Sequence, residues 1–249
     1  MPHFRLTLAY DGTDFEGWQT QAGPREARTV QGVLETALGR LCNTERVVVA
    51  GAGRTDAGVH ALGQVVSFEL PTSLRSDAVG RALNGLLPRD VRVLSSAEAE
   101  PGFHARRSAR SKLYRYEIDR GDVQVPQRMR YAGHVSGPLD EAAMRAVAEC
   151  YLGRKDFAAV ASAGGSVRTT VRTVTRSSLS IGETAVVFEV EADGFLRKMV
   201  RSLAGGILAA GRSLRSVADL ERALAGRNRS DWPPPAPAAG LTLVRVDYD

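Results

Sequence analysis

Gly51-Ala-Gly53-Arg54-Thr55-Asp56-Ala-Gly58-Val-His60-Ala-Leu-Gly63 is the stretch on which the reading of this chain turns. Its four glycines permit positive φ and close approach of another backbone, a means of presenting a polar side chain in a tight site. It lies between two apolar runs, Val47-Val48-Val49 and Val65-Val66-Ser67-Phe68, so it is expected as a loop joining two strands. That places Arg54, Thr55 and Asp56 at a sheet edge. In isolation, an aspartate among glycines reads as an Asx turn. Dinucleotide binding is excluded, because the last position of a G-x-G-x-x-G pattern starting at Gly51 is Asp56, whose carboxylate would repel a pyrophosphate.

The chain has 249 residues, 43% of them hydrophobic, enough for one large α/β unit or two fused halves. No apolar run approaches the ~20 residues of a membrane span, and strand alternation begins at once in Phe4-Arg5-Leu6-Thr7-Leu8-Ala9-Tyr10. A soluble, cytoplasmic protein without a secretory signal is expected. Cys42 and Cys150 are the only cysteines. Neither belongs to a C-x-x-C, and both are expected as small core residues. His3, His60, His104 and His134 are scattered, so no metal is expected. The formal charge is +5 and the isoelectric point is near 9.5, which suits a polyanionic partner. All but Lys112, Lys155 and Lys198 of the 33 basic residues are arginine, the residue that forks phosphate and stacks on bases.

Read in order, the first half predicts strand Phe4–Tyr10, a polar loop from Asp14 to Arg28, and a helix capped by Thr29. That helix buries Val30, Val33, Leu34, Ala37, Leu38 and Leu41. Strand Val65–Leu70, a helix opened by Ser76 and closed by Pro88, and strand Val91–Leu94 follow. Strand, helix, strand, strand, helix, strand is the split βαβ or ferredoxin-like order. The second half repeats it less clearly: strand Lys112–Ile118, helix Asp140–Leu152, hairpin Thr169–Arg176 with Ala185–Glu191, helix Phe195–Ala210, and strand Leu241–Val246. A further helix, Ser216–Leu224, has Ser216 and Asp219 as a capping pair and Gly226 as its stop. The expected fold class is therefore α+β. Two ferredoxin-like halves, 1–105 and 106–249, join into one mixed, mainly antiparallel sheet with helices on one face. The proline-rich stretch 227–240 reads equally as a mobile lid or a plain connector.

Two further stretches carry chemistry if Asp56 does. Arg106, Arg107, Arg110 and Lys112 run into a strand whose alternation sets Lys112, Tyr114, Tyr116 and Ile118 on one face. Cations interleaved with aromatics suit stacked or flipped bases, at roughly 1–3 kcal/mol per base, although such tyrosines also serve as core. In Gly194-Phe-Leu-Arg197-Lys198-Met-Val-Arg201-Ser202, helical spacing groups Arg197, Lys198 and Arg201 on one side, near a helix N-terminus that disfavours cations. An anion is expected to compensate, either phosphate or the Asp56 carboxylate.

The string Gly53-Arg54-Thr55-Asp56-Ala57-Gly58-Val59-His60-Ala61 resembles the catalytic string of the tRNA pseudouridine synthase A family, in which the aspartate is the essential acid. Tyr10-Asp-Gly-Thr-Asp-Phe-Glu-Gly-Trp18-Gln19 is similar to that family's opening motif. So is Phe103-His-Ala-Arg followed by Lys112-x-Tyr114-Arg-Tyr116, and so is Phe195-Leu-x-x-Met-Val-Arg201. Shorter matches are Gly63-Gln64-Val65, Ala82-Leu83-Asn84, Asp156-Phe157, Val171–Val174 and Gly240-Leu241-x-Leu243-x-x-Val246. Ser202 stands where the family usually has asparagine. The resemblance implies an isomerase that converts uridine to pseudouridine at positions 38, 39 and 40 of the tRNA anticodon arm. It needs no cofactor and no metal, and acts as a homodimer.

The same resemblance implies the roles. Asp56 is nucleophile or base, attacking C1′ or removing the 2′ proton, and Arg201 is its ion-pair partner. Tyr114 stacks on the flipped base; Arg54 contacts RNA or fills the space the base leaves. From charge clustering and alternation, Arg106, Arg107, Arg110, Lys112, Arg197 and Lys198 are expected to hold substrate with Tyr114. Physically, desolvation and nearby phosphates raise a carboxylate pKa, whereas a positive partner within ~4–6 Å lowers it. Two other classes remain open: an RNA-binding scaffold without chemistry, and a nucleoside hydrolase, which ordinarily needs a second carboxylate.

Overall fold

The computed structural model describes residues 1–20, 27–162, 164 and 168–248, so part of the expected loop from Asp14 to Arg28 lies outside the described residues. In chain order the elements are β1 (His3–Tyr10), α1 (Val30–Cys42), β2 (Ala50–Gly51), β3 (His60–Glu69), α2 (Ser76–Leu86), β4 (Val91–Glu98) and β5 (Ser111–Asp119). Then come α3 (Pro126–Met129), β6 (Gly133–His134), α4 (Glu141–Glu149), β7 (Gly153–Asp156), β8 (Val171–Ile181), β9 (Ala185–Ala192), α5 (Met199–Gly211), α6 (Val217–Gly226) and β10 (Leu241–Asp247). The fold class is the expected α+β, with mixed, mainly antiparallel strand pairing. The chain divides into two compact units, Met1–Arg110 with Thr242–Asp249, and Ser111–Leu241. The sequence reading divided it at 105/106 and kept the last strand in the second half.

In the first unit the strands pair in the order β4-β1-β3, with β2 also on β3, all antiparallel. This is the fourth, first, third, second order of a split βαβ sheet. Phe4, Leu6 and Leu8 are fully buried on β1, with Leu34 and Leu38 of α1 and Val79 and Leu83 of α2 at or near zero exposure. Each such side chain is worth about 1.5–3 kcal/mol of burial. Thr29 caps α1 by accepting from Gly32 N. Ser76, expected to open α2, is its first residue, and Arg75 stands at the cap without a side-chain bond.

Two strand boundaries differ from expectation, for identifiable reasons. Val47 and Val49 are buried and Val48 exposed, as in a strand, yet β2 is only Ala50–Gly51. The Val49 N–H is taken by the buried Glu35 carboxylate at 3.2 Å, not by a ladder partner. At the other end β3 begins at His60, inside the stretch expected as loop. There Thr242 and Leu243 of β10 pair in parallel with His60 and Ala61, and the Val244 carbonyl passes so close that a Cβ on Gly63 would lie 2.4 Å from it.

The second unit holds β5-β9-β8-β7 in antiparallel order, with β6 parallel to β5. Asp140 caps α4, and Ser216 with Asp219 forms the expected capping box of α6. The left-handed residue that ends α6 is Arg227 (φ 59) and not Gly226. Cys42 and Cys150 are half-buried free thiols at helix ends, not core residues. Among the described residues no helix is long and apolar enough to cross a membrane.

The proline-rich connector is seated on α5. Trp232 is buried and donates from Nε1 to Ser202 O at 2.8 Å, Ala236 N donates to Arg201 O at 2.9 Å, and Tyr116 Oη donates to Pro237 O at 2.9 Å. Gly205 makes this approach possible, since a Cβ there would lie 2.2 Å from Pro234 O. These contacts fit the connector reading. Alanine at 205 would gain about 1 kcal/mol of helix propensity and lose roughly 1–3 kcal/mol to overpacking. Urea denaturation of Gly205→Ala is therefore expected to show a lower midpoint at unchanged m; an equal or higher midpoint would mean that the connector is not seated as described.

Candidate active site

Asp56 sits half-buried between β2 and β3, with Thr55 buried before it and Arg54 exposed. Its loop is fixed by the segment that follows β1. Trp18 N donates to Thr55 O at 3.0 Å, and Gly58 N to Phe15 O at 3.3 Å. Gly17 (φ +100) is needed at this crossing, because a Cβ there would lie 2.7 Å from Thr55 O. Gly12 N donates to His60 Nδ1 at 3.1 Å, and Asp11 Oδ1 accepts from Thr13 N and Thr13 Oγ1 at 3.0 and 2.6 Å. The Tyr10–Gln19 motif is thus the cradle of the Asp56 loop, and Trp18, 3% exposed, is its packing anchor.

On the core side, Gln64 Nε2 donates to Gly53 O at 2.8 Å, and the Tyr10 hydroxyl lies 2.9 Å from Thr55 Oγ1. Burial, only partly offset by its hydrogen bonds to Thr55 and Gln64, pushes the Tyr10 hydroxyl up to about 12, so it remains a donor at neutral pH. The sequence marks Tyr10 as a strand position that opens a motif and Gln64 as a minor match, without assigning a role to either. A polar residue facing the core opposite Leu8 was the available signal.

The arginine segment is also a built feature of the first unit. Arg106, Arg107 and Arg110 are exposed, while Ala105 between them and the sheet is fully buried. Ala105 N donates to Ser67 Oγ at 3.1 Å and Ala105 O accepts from Tyr248 Oη at 2.8 Å. Phe103 packs on Tyr248 with ring centroids 4.9 Å apart, and the Arg5 guanidinium lies 4.6 Å from the Tyr248 ring. His104 Nδ1 accepts the backbone N–H groups of Arg106 and Arg107 at 3.1 and 3.4 Å. Hence the exposed arginines stand on a turn whose backbone is held by the ring.

The remaining expected residues lie in the second unit. Tyr114 is buried and meets Phe195 edge-on at 5.1 Å. Lys112 is 9% exposed and Tyr116 fully buried, so the face shared by 112, 114, 116 and 118 is packed and not an open stacking platform. Tyr116 is a core residue, its hydroxyl raised by burial. Arg197 and Lys198 precede α5 and are not on it; Lys198 takes a left-handed φ of 58 at its cap. The expected crowding of three cations on one helix side is therefore corrected: only Arg201 belongs to the first turn. Arg201 Nε donates to Ala236 O at 2.8 Å, which ties the side chain to the same connector residue that binds its backbone. Ser202 is fully buried, and its Oγ finds no hydrogen-bond partner among the described residues.

Several minor matches are structural. Asn84 clamps Val93 of β4 through both backbone groups, at 2.8 and 2.9 Å. Asp156 Oδ1 accepts from Thr170 Oγ1 and Ala158 N, and these bonds hold its carboxyl below the usual range. No cluster of three or more His, Cys, Asp or Glu able to hold a metal occurs among the described residues.

A family model described as tRNA pseudouridine synthase matches residues 7–106 and 147–249. Asp56, Arg54, Arg106, Arg197, Lys198 and Arg201 fall within the matched segments; Arg107, Arg110, Lys112 and Tyr114 fall between them. The tRNA pseudouridine synthase A of Solidesulfovibrio magneticus is 45% identical over 253 residues, covering 100% of this chain and 92% of that protein. The protein of that name from Moorella thermoacetica is 43% identical, covering 100% of both. Another, from Latilactobacillus sakei, is 41% identical, covering 98% of each.

The arginine turn carries a pH signature. Burial, and then the nearby Arg107 charge, holds His104 below its ordinary value. The unfolded chain therefore takes up a proton first as pH falls, and the contribution of neutral His104 is present above pH ~6.5 and lost below it. In chemical denaturation, the stability advantage of the wild type over His104→Asn, which keeps an acceptor and does not titrate, is expected to shrink between pH 7 and pH 5. An advantage that stays constant or grows on acidification would contradict this.

Proposed function

The chain belongs to the tRNA pseudouridine synthase family, and from that premise we propose that Asp56 is its catalytic carboxylate, nucleophile or base, and Arg201 the counter-charge that serves it. The protein is an isomerase that converts uridine to pseudouridine in tRNA. The observation that carries the site assignment is the Asp56 loop itself. Asp56 is half-buried in a loop whose backbone is bonded by Trp18 and Phe15 on one side and by Gln64 on the other, with the Tyr10 hydroxyl on the Thr55 side chain.

The reaction breaks the N1–C1′ bond, turns the uracil and joins C5 to C1′. The C5 proton leaves to solvent and N1 takes one up, so reactant and product are isomers and no redox partner enters the balance. Asp56 acts at the ribose, where the glycosidic bond opens. Tyr114, 6% exposed and edge-on to Phe195 in the RNA-free protein, is uncovered when RNA binds and stacks on the flipped uracil while it turns. Arg54 faces the RNA from the exposed side of the same loop. Arg106, Arg107, Arg110 and Arg197, all exposed, grip phosphates, with Lys112 and Lys198, less exposed, supporting them. In this reading the substrate uridines are positions 38, 39 and 40 of the anticodon arm, and the enzyme works in the cytoplasm as a homodimer.

Two variants separate chemistry from binding. With tRNA tritiated at uridine C5, Asp56→Asn is expected to lower tritium release by at least about 10²-fold while still binding tRNA. Arg106→Ala is expected to raise KM, leave kcat near the wild-type value and flatten the salt dependence of binding by about one phosphate contact. Undiminished release from Asp56→Asn would refute the assignment, and free uracil among the products would point to a hydrolase.

A further inference from the structure

Along β1 and β3 the core-facing pairs are Phe4 with Phe68, Leu6 with Val66, and Leu8 with Gln64. The third pair breaks an apolar row. Gln64 is 0% exposed, and a buried amide is costly unless its hydrogen bonds are made. A leucine would continue the core without that cost. The amide is instead directed at the Asp56 loop. Nε2 donates to Gly53 O at 2.8 Å and lies 3.5 Å from the Tyr10 hydroxyl. A flipped amide would set two oxygens against each other, so Gly53 fixes its orientation.

Tyr10 is itself 4% exposed, and its hydroxyl meets Thr55 Oγ1 at 2.9 Å. The β1–β3 register shifts between Leu8 and Tyr10 and sets Tyr10 opposite Ala61, an irregularity of the kind that re-aims a side chain beside a site. Gly53 and Thr55, on either side of Arg54, are therefore both held from the core, and Asp56 is the next residue. Gln64 Oε1 finds no hydrogen-bond partner among the described residues, so packing alone does not account for the amide.

We propose that Tyr10, Thr55 and Gln64 form a buried positioning chain that sets the aim of Asp56 through Gly53 and Thr55. The proposal rests on the catalytic reading of Asp56 and extends it to three residues that act through the loop backbone and not on the RNA. Misaiming a reacting group by about 1 Å costs up to about 10²-fold in rate without weakening binding, so the chain should be visible in kcat and not in KM.

The test is steady-state pseudouridylation of tRNA by the full chain carrying Tyr10→Phe, Thr55→Val, Thr55→Ser or Asp56→Asn, with thermal melting of each protein. Gln64→Leu is a poorer probe, because it can disturb folding; Tyr10→Phe removes a single oxygen. Tyr10→Phe and Thr55→Val are each expected to lower kcat about tenfold with KM changed less than about twofold. Combined, they should do little more than the stronger single change, because both cut the same link. Thr55→Ser, which restores a hydroxyl, should recover most of what Thr55→Val loses. A lower melting temperature at wild-type kcat, or a loss carried by KM, would overturn the proposal. If Asp56→Asn is inactive while Tyr10→Phe keeps full kcat, the positioning chain alone fails. If Asp56→Asn is fully active, the catalytic reading fails with it.

Discussion

A single part-buried hydrogen bond, from Gln64 Nε2 to Gly53 O at 2.8 Å, shows how a glycine-punctuated loop is made rigid. Glycines alone give freedom, and freedom is the opposite of what a reacting carboxylate requires. Here the loop backbone is taken up from two directions. Gln64 reaches it from the core, where Tyr10 also bonds the Thr55 side chain, and Trp18 N and Phe15 O reach it from the segment after β1. Each bond is individually modest, about 0.5–1.5 kcal/mol net. Their combined effect is geometric, since only a narrow range of backbone angles between Gly53 and Gly58 satisfies them all.

The second unit applies the same economy to Arg201. Its backbone carbonyl accepts from Ala236 N and its Nε donates to Ala236 O, so the connector that carries three successive prolines also holds the guanidinium in one orientation. Proline suits that task, because a chain with preset φ loses less freedom on being seated. Gly205 and Trp232 complete the seat on α5. A stretch whose composition fits a lid or a connector also braces a charged side chain here.

Much of this was legible in the sequence, and what was not has physical causes. The Asp56 string stood out through its resemblance to a family, whereas the ferredoxin-like order of the first half follows from period-2 and period-3.6 alternation, which depend on local geometry. The short β2 did not, because the competitor for its backbone is Glu35, a side chain from another element. The late start of α5 did not, because Lys198 adopts a left-handed conformation that no propensity announces. The burial of Lys112 and Tyr116 was not legible, because alternation says which residues share a face and not whether something covers it. Gln64 was in plain view as a polar residue opposite Leu8, but its meaning depended on Gly53, eleven positions away in sequence.

The central physical claim is that the Asp56 loop is as fixed as the strands that carry it. Native-state hydrogen exchange at the Trp18 amide, which donates to Thr55 O, tests this most directly. Protection matching that of the core β1 amides Leu6 and Leu8, lost only with global unfolding, is the expected result. Exchange at the rate of an unprotected loop amide would show that the loop opens on its own, and the account of a rigidly aimed carboxylate would be wrong.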